Sequence, residues 1–117
     1  MRTGWTTEDS WALFDAAPFG KAHQHEDKLS LLFYANGKLL LTEGGNYAYD
    51  TSEMRRYVLS TRAHNTVRVD AKDQNRLKNY AWKEEDIREK ADLKWKLGPV
   101  WDYGESNYRE GYGENPC

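Results

Sequence analysis

Apolar residues along the chain fall into short runs bounded by Gly, Pro, Asn and Asp, the spacing of strands and turns. Trp11 to Asp15 reads as a short strand, closed by Pro18 and Gly20. Lys28 to Ala35 is the strongest strand signal, and Lys38 to Thr42 follows it. Asn36-Gly37 between these two runs predicts a hairpin, because both residues tolerate positive φ. Glu43-Gly44-Gly45 ends the second strand, Tyr47-Ala48-Tyr49 alternates, and Asp50-Thr51-Ser52 turns. Met54 to Leu59 fits either one helical turn or a short strand. Thr66 to Asp70 alternates cleanly and predicts a strand with Val67 and Val69 on one face. Asp73-Gln74-Asn75 reads as loop. Lys83 to Leu93 is rich in helix formers with few apolar positions, which predicts a solvated helix. Trp95, Leu97, Val100, Trp101 and Tyr103 predict a final strand region interrupted by Gly98-Pro99, and Gly111 to Cys117 shows no pattern. The expected fold is mainly β, a partial antiparallel β-sandwich with at most one short helix, in a single domain over residues 1–117.

Composition changes that picture in one respect. Leu, Ile, Val and Phe number only 19 of 117 residues, a share that by itself points to disorder. A net charge of only −2, five Trp and eight Tyr argue instead for a shallow aromatic core packed between sheets. The other reading is a chain that borrows core from a larger protein. Mixed local charge points to neither nucleic acid nor an acidic membrane surface as a partner. Cys117 is the sole cysteine, which excludes an internal disulfide and a cysteine-rich zinc site. No apolar run approaches the roughly 18 residues of a membrane-spanning helix. The segment Met1 to Trp5 lacks the apolar middle of a signal peptide.

The chain's three histidines are His23, His25 and His64. On extended backbone His23, His25 and Asp27 project to one side, as a metal cradle or an acid/base site would need. The hairpin centred on Asn36-Gly37 brings Lys28 to about the level of Gly45. It therefore places His25 and Glu43 at one end of the same hairpin. His64 opens the Val67/Val69 strand, and pairing of that strand alongside would bring two histidines and a carboxylate together. Two imidazoles and a carboxylate form a zinc ligand set. The competing role is a histidine held at a strand end by ordinary hydrogen bonds. Arg55-Arg56-Tyr57 suits an anionic substrate, because guanidinium groups bind carboxylate or sulfate in bidentate fashion. A surface salt bridge is the competing role there. Tyr47 and Tyr49 stand just past Glu43, where a phenol could act as acid or base or simply pack on the sheet.

Taken together these segments resemble the heparinase II/III-like family of polysaccharide lyases. The resemblance runs from Trp11 to about Asn75. Its most distinctive pieces are His23-x-His25-x-Asp27 and Ala63-His64-Asn65-Thr66-Val67. Leu13 to Pro18, Tyr34-Ala35-x-Gly37, Gly45-x-Tyr47-x-Tyr49 and Arg55-Arg56-Tyr57 keep the same order, and Gly98 to Tyr103 looks like the family's next strand. The resemblance implies the start of a C-terminal antiparallel β-sandwich region, without the N-terminal α/α toroid of such enzymes. It implies zinc held by His25, Glu43 and His64 as a structural cofactor. This chain has Glu43-Gly44-Gly45 where the family usually has Asp-Pro-Gly, so a longer carboxylate arm stands at the third ligand position.

The implied activity is β-elimination on uronic-acid glycans such as heparin, heparan sulfate or alginate, in the periplasm or outside the cell. His23 and Tyr47 would face the cleft as catalytic groups, and Arg55, Arg56 and Tyr57 would bind substrate. The main acid/base machinery would lie on the toroid, leaving this chain inactive alone. A cupin-like metal enzyme, which also uses His-x-His, ranks far lower, because Leu29 and Ser30 stand where its Glu is needed. A non-catalytic carbohydrate-binding or structural β module is the remaining alternative.

Overall fold

The computed structural model describes residues 1–18, 23–76 and 92–113. Three strands, β1 (Trp11–Phe14), β2 (Leu31–Ala35) and β3 (Lys38–Leu41), form an antiparallel sheet in the order β1-β2-β3. Two more, β4 (Leu93–Leu97) and β5 (Asp102–Ser106), form a second antiparallel sheet. One helix, α1 (Glu53–Leu59), leads into a 3-10 turn at Thr61–Ala63. The described residues are thus mainly β, with two antiparallel sheets and one short helix, as the pattern predicts.

The β2–β3 hairpin forms where Asn-Gly places it. Asn36 and Gly37 take φ of 54° and 70°, the doubly left-handed pair that matches the twist of the flanking strands. Ala35 pairs with Lys38, and the register then slips at a bulge between Phe33 and Tyr34, so that Phe33 faces Leu41. The start of the predicted strand at Lys28 is not extended, because Leu29 sits at φ 62° and tucks its N–H onto the Asp15 carbonyl (2.9 Å).

Helix α1 resolves the ambiguity at Met54 to Leu59. Ser52 caps it, accepting the Arg55 N–H (3.1 Å), and Asp50 fixes that serine through its N–H (3.0 Å) and hydroxyl (2.6 Å). Glu53 and Arg56 complement the two ends of the helix. Val58 is its buried residue.

Two expectations are corrected. Thr66 to Asp70 is not a strand. Val67 and Val69 are exposed, and the segment turns at Asp70 and Ala71, both at positive φ, so that Val69 bridges Lys72. The final strand region is two strands, folded back at the Gly98-Pro99 interruption, with Leu97 paired to Asp102. Gly98 is required there, since a Cβ would lie 2.8 Å from the Trp101 carbonyl oxygen. The predicted helix over Lys83 to Leu93 falls almost wholly outside the described residues, and Leu93 begins β4. The sheets approach at Gly104, where a Cβ would meet Phe14 at 3.6 Å. Beside that contact lies a cavity of about 410 Å³ between β1 and Leu93, Trp95, Leu97 and Tyr103.

Candidate metal centre and flanking cleft

His64 stands at the end of the 3-10 turn, its N–H on the Thr61 carbonyl (3.1 Å). Its side chain is only 2% exposed. Nδ1 pairs with a Glu43 carboxylate oxygen, and the other Glu43 oxygen accepts from the buried Ser30 hydroxyl (2.6 Å). Nε2 is buried and has no hydrogen-bond partner among the described residues. A buried polar atom without a partner costs about 1–3 kcal/mol, so a nitrogen left in this state fits a ligand that would take it up.

His25 lies beside His64, ring centroids 5.3 Å apart. One ligand atom each from His25, Asp27 and His64 come within 4.8 Å of one another. Burial pulls the His25 imidazole below its ordinary pKa, with the Asp27 charge acting the other way. Burial pushes the Asp27 carboxyl up, while His64 and His25 pull it down. The downward shift of His25 favours the neutral imidazole, which is the form of histidine that binds a metal.

The residues after His64 build the frame. Asn65 donates from its side chain to the Thr42 carbonyl (2.6 Å) and accepts the Leu31 N–H at its own carbonyl (3.1 Å). Thr66 donates its hydroxyl to the Lys28 carbonyl (2.5 Å). Gln74, only 2% exposed, accepts the Lys28 N–H at its side-chain oxygen (2.8 Å) and donates back to the Lys28 carbonyl (2.9 Å). The Gln74 N–H in turn donates to the buried Thr61 hydroxyl (2.7 Å). The His-Asn-Thr segment thus reaches the hairpin through one backbone bond and two side-chain bonds, where a strand pairing had been expected. Glu26 turns away from the cluster onto Arg76 (3.1 Å).

The remaining predicted residues separate into two groups. His23 is exposed and meets Tyr49, its Nδ1 2.7 Å from the phenol oxygen. Arg55 lies over the Tyr49 ring at 4.7 Å, donates to the Asn46 side chain (2.8 Å) and reaches the Tyr47 carbonyl (3.4 Å). Tyr47 itself is 44% exposed and is joined to this group through its backbone. Arg56 and Tyr57 stand apart. Arg56 donates to the Thr51 carbonyl (2.8 Å), and Tyr57 sits under Arg62 at 6.0 Å. Successive helical residues diverge by about 100°, so adjacent arginines on α1 do not converge.

Two residues carry more than sequence reasoning gave them. Asp27, grouped with the histidines by strand alternation, is the carboxylate of the 4.8 Å cluster. Tyr49 meets His23, and its alternation with Tyr47 is the signal that points to it.

No curated protein matches the chain, and neither does any solved structure. Among the described residues no helix is long and apolar enough to cross a membrane. A family model described as Heparinase II/III-like, C-terminal, matches residues 2–101. That span covers most of the chain and all of the His25, Asp27, Glu43 and His64 cluster, and the protein therefore belongs to the heparinase II/III-like family as a C-terminal β domain related to polysaccharide lyases.

Proposed function

We propose that this chain is the zinc-binding β part of a lyase that cleaves uronic-acid glycans of the heparin, heparan sulfate or alginate kind by β-elimination. It would do so together with an α/α toroid, in the periplasm or outside the cell. The observation that carries the metal assignment is the buried, unpartnered Nε2 of His64 beside His25 and Asp27. His25, His64 and a carboxylate would hold the ion. Bound there, zinc would fix the shape of the cleft wall, since elimination consumes no water.

The geometry favours Asp27 as the carboxylate, with Glu43 orienting His64 through Nδ1. Glu43 as the ligand itself, the choice family resemblance suggests, is separable by experiment. Isothermal titration of zinc into the parent should show one site. His25→Ala, His64→Ala and Asp27→Asn should abolish it, and Glu43→Gln should weaken it by about 10–100-fold. A Glu43→Gln variant as silent as His64→Ala would make Glu43 the ligand. A parent that takes up no zinc would sink the assignment.

Elimination needs a base at the proton beside the uronate carboxylate, a neutraliser for that carboxylate and an acid at the leaving oxygen. His23 and Tyr49 form a hydrogen-bonded pair at the exposed edge, able to hold or pass a proton between Nδ1 and the phenol oxygen. Arg55 beside them supplies a cation for an incoming carboxylate, and Tyr47 flanks it. Arg56 and Tyr57, which stand apart from this group, would contact substrate only beyond it. The remaining groups would come from the toroid, so this chain alone should release no ultraviolet-absorbing unsaturated product from these glycans.

A further inference from the structure

The far end of the three-stranded sheet carries a second constellation. Residues 3–10 form a tightly bonded loop. The Thr3 N–H donates to the Ser10 carbonyl (2.9 Å), and the Ser10 N–H donates to the Thr3 hydroxyl (2.9 Å). Asp9 gathers the Thr6 N–H (2.9 Å) and hydroxyl (2.7 Å) on one oxygen and the Thr3 hydroxyl (3.2 Å) on the other. Gly4 is needed for this closure, since a Cβ would lie 2.4 Å from the Asp9 carboxylate. The Tyr34 phenol donates to the Thr7 carbonyl (2.8 Å) and ties the loop to β2. Arg2 bridges to Trp11 through the backbone and ties it to β1.

What this rigid loop presents is aromatic. Trp5 is 86% exposed, and the Arg2 guanidinium lies 3.2 Å from its ring centroid. Trp11 and Tyr34, cross-strand partners, hold their rings within 4° of parallel at 6.0 Å. Together with Thr6 and Thr7 these residues line a concavity of about 450 Å³. Exposing a whole indole forgoes the burial that ordinarily places Trp inside. Here the indole is also held in place, so its exposure is built rather than incidental.

Flat aromatic faces pack against the apolar C–H face of a sugar ring. A guanidinium stacked on an indole keeps its N–H edge free to take a carboxylate in bidentate fashion. Among the described residues Arg2 has no carboxylate partner. The nearby Asp9 carboxylate is turned inward onto Thr3 and Thr6.

We infer that the Arg2, Trp5, Trp11 and Tyr34 surface is a binding site for one uronate-bearing sugar unit, separate from the metal cluster. The choice of an acidic sugar rests on the proposed function, whereas the site itself rests on the geometry above. Trp11 pairs with Tyr34 at one end of β1, and the metal cluster abuts the other end, where Phe14 pairs with Leu31 next to Ser30. Three residue steps of strand separate the two ends by about 10 Å. The site would hold a glycan chain at a distance from the reacting bond.

The test uses the full chain and two probes, a hexameric polyuronate and a neutral hexasaccharide of glucose. Binding is read by calorimetry and by tryptophan emission. The parent should bind the polyuronate saturably and the neutral probe at least tenfold more weakly. Trp5→Ala should weaken polyuronate binding at least tenfold, and Arg2→Ala should do the same while leaving the weak neutral binding in place. Both variants should take up zinc as the parent does, so failure at this surface and failure at the metal cluster are read separately. Parent-like polyuronate binding by both variants would overturn the inference, as would a parent that binds neither probe. Equal affinity for the two probes would overturn the assignment to an acidic sugar.

Discussion

The corner around His64 and the pair of sheets it supports are buried in opposite ways. In the corner the deeply buried side chains are polar: Ser30, Thr61, His64 and Gln74 are all at most 9% exposed. In the sheets the apolar side chains are open to a large extent. All four residues of β3 and all five of β4 are exposed, and Val100 between β4 and β5 is 90% exposed. The described apolar core consists of Ala16, Ala35 and Val58. Most proteins bury their apolar strands and leave polar groups at the rim. Here the best-excluded volume belongs to a hydrogen-bonded polar network, and a buried network of that kind is specific only while each member is satisfied. The corner is therefore the part of the chain most sensitive to single changes, and the sheets the least.

The largest test of this contrast is Gln74→Leu. The substitution keeps the side chain's approximate size but makes it apolar, and so removes the bond from the Lys28 N–H to the Gln74 side-chain oxygen. The Lys28 carbonyl keeps the Thr66 hydroxyl. The loss of both Gln74 side-chain bonds to Lys28, and with them of the link between the His-x-His arm and Thr61, should cost about 2–3 kcal/mol. Thermal melting should show a fall of roughly 10 °C. Zinc affinity should fall with it, because the arm carrying His25 and Asp27 is held to the His64 segment through this glutamine. A Gln74→Leu protein with unchanged melting would mean that the network is not what orders the corner.

The opposite test is made on the sheets. Val100→Ser and Leu97→Thr alter residues that are 90% and 63% exposed. Each should change stability by less than about 0.5 kcal/mol in denaturant titration. A loss above about 1 kcal/mol from either would show that this apolar face is covered in solution, and a concentration dependence of that loss would identify the cover as a second copy.

The same contrast decides what was legible in the sequence. The hairpin was legible because Asn36-Gly37 is a backbone requirement written in residue type. From it followed the placement of Glu43 at the histidine end, which the Ser30–Glu43–His64 chain of contacts realises. Thr66 to Asp70 was misread because alternation reports which side chains share a face, not whether a ladder forms. Thr66 spends its hydroxyl on the Lys28 carbonyl, Arg68 pairs with Asp73, and the valines face outward. The role of Gln74 was illegible for a related reason. A lone glutamine in a loop has no periodic signature, and its partners stand 46 residues away at Lys28 and 13 residues away at Thr61. Tyr49 could not be separated from Tyr47 by spacing, since two residues on one face differ only in what the rest of the fold brings up to each.

Carboxylates give the finest discrimination between buried corner and open surface. In the corner burial pushes Glu26 and Asp27 up. On the open N-terminal loop the Thr6 hydroxyl and N–H hold Asp9 below its ordinary value. A carboxylate whose pKa is lowered by folding stabilises the fold fully above its unfolded pKa, about 3.9. It loses that contribution only as pH falls through the lower folded value. The loop that carries Trp5 should therefore stay closed at the pH where an ordinary aspartate is half protonated, and open at lower pH. The signal is the difference in emission between the parent and Trp5→Phe, followed from pH 6 to pH 2, an experimental range of about four units across that ordinary value. Its midpoint should lie below about 3.9, and Asp9→Ala should remove the transition by leaving the loop open throughout. A midpoint at or above the ordinary value would mean that the threonine bonds to Asp9 do not hold the loop. Trp5 would then be exposed because it is loose, and the distinction between a built aromatic surface and a frayed terminus would be lost.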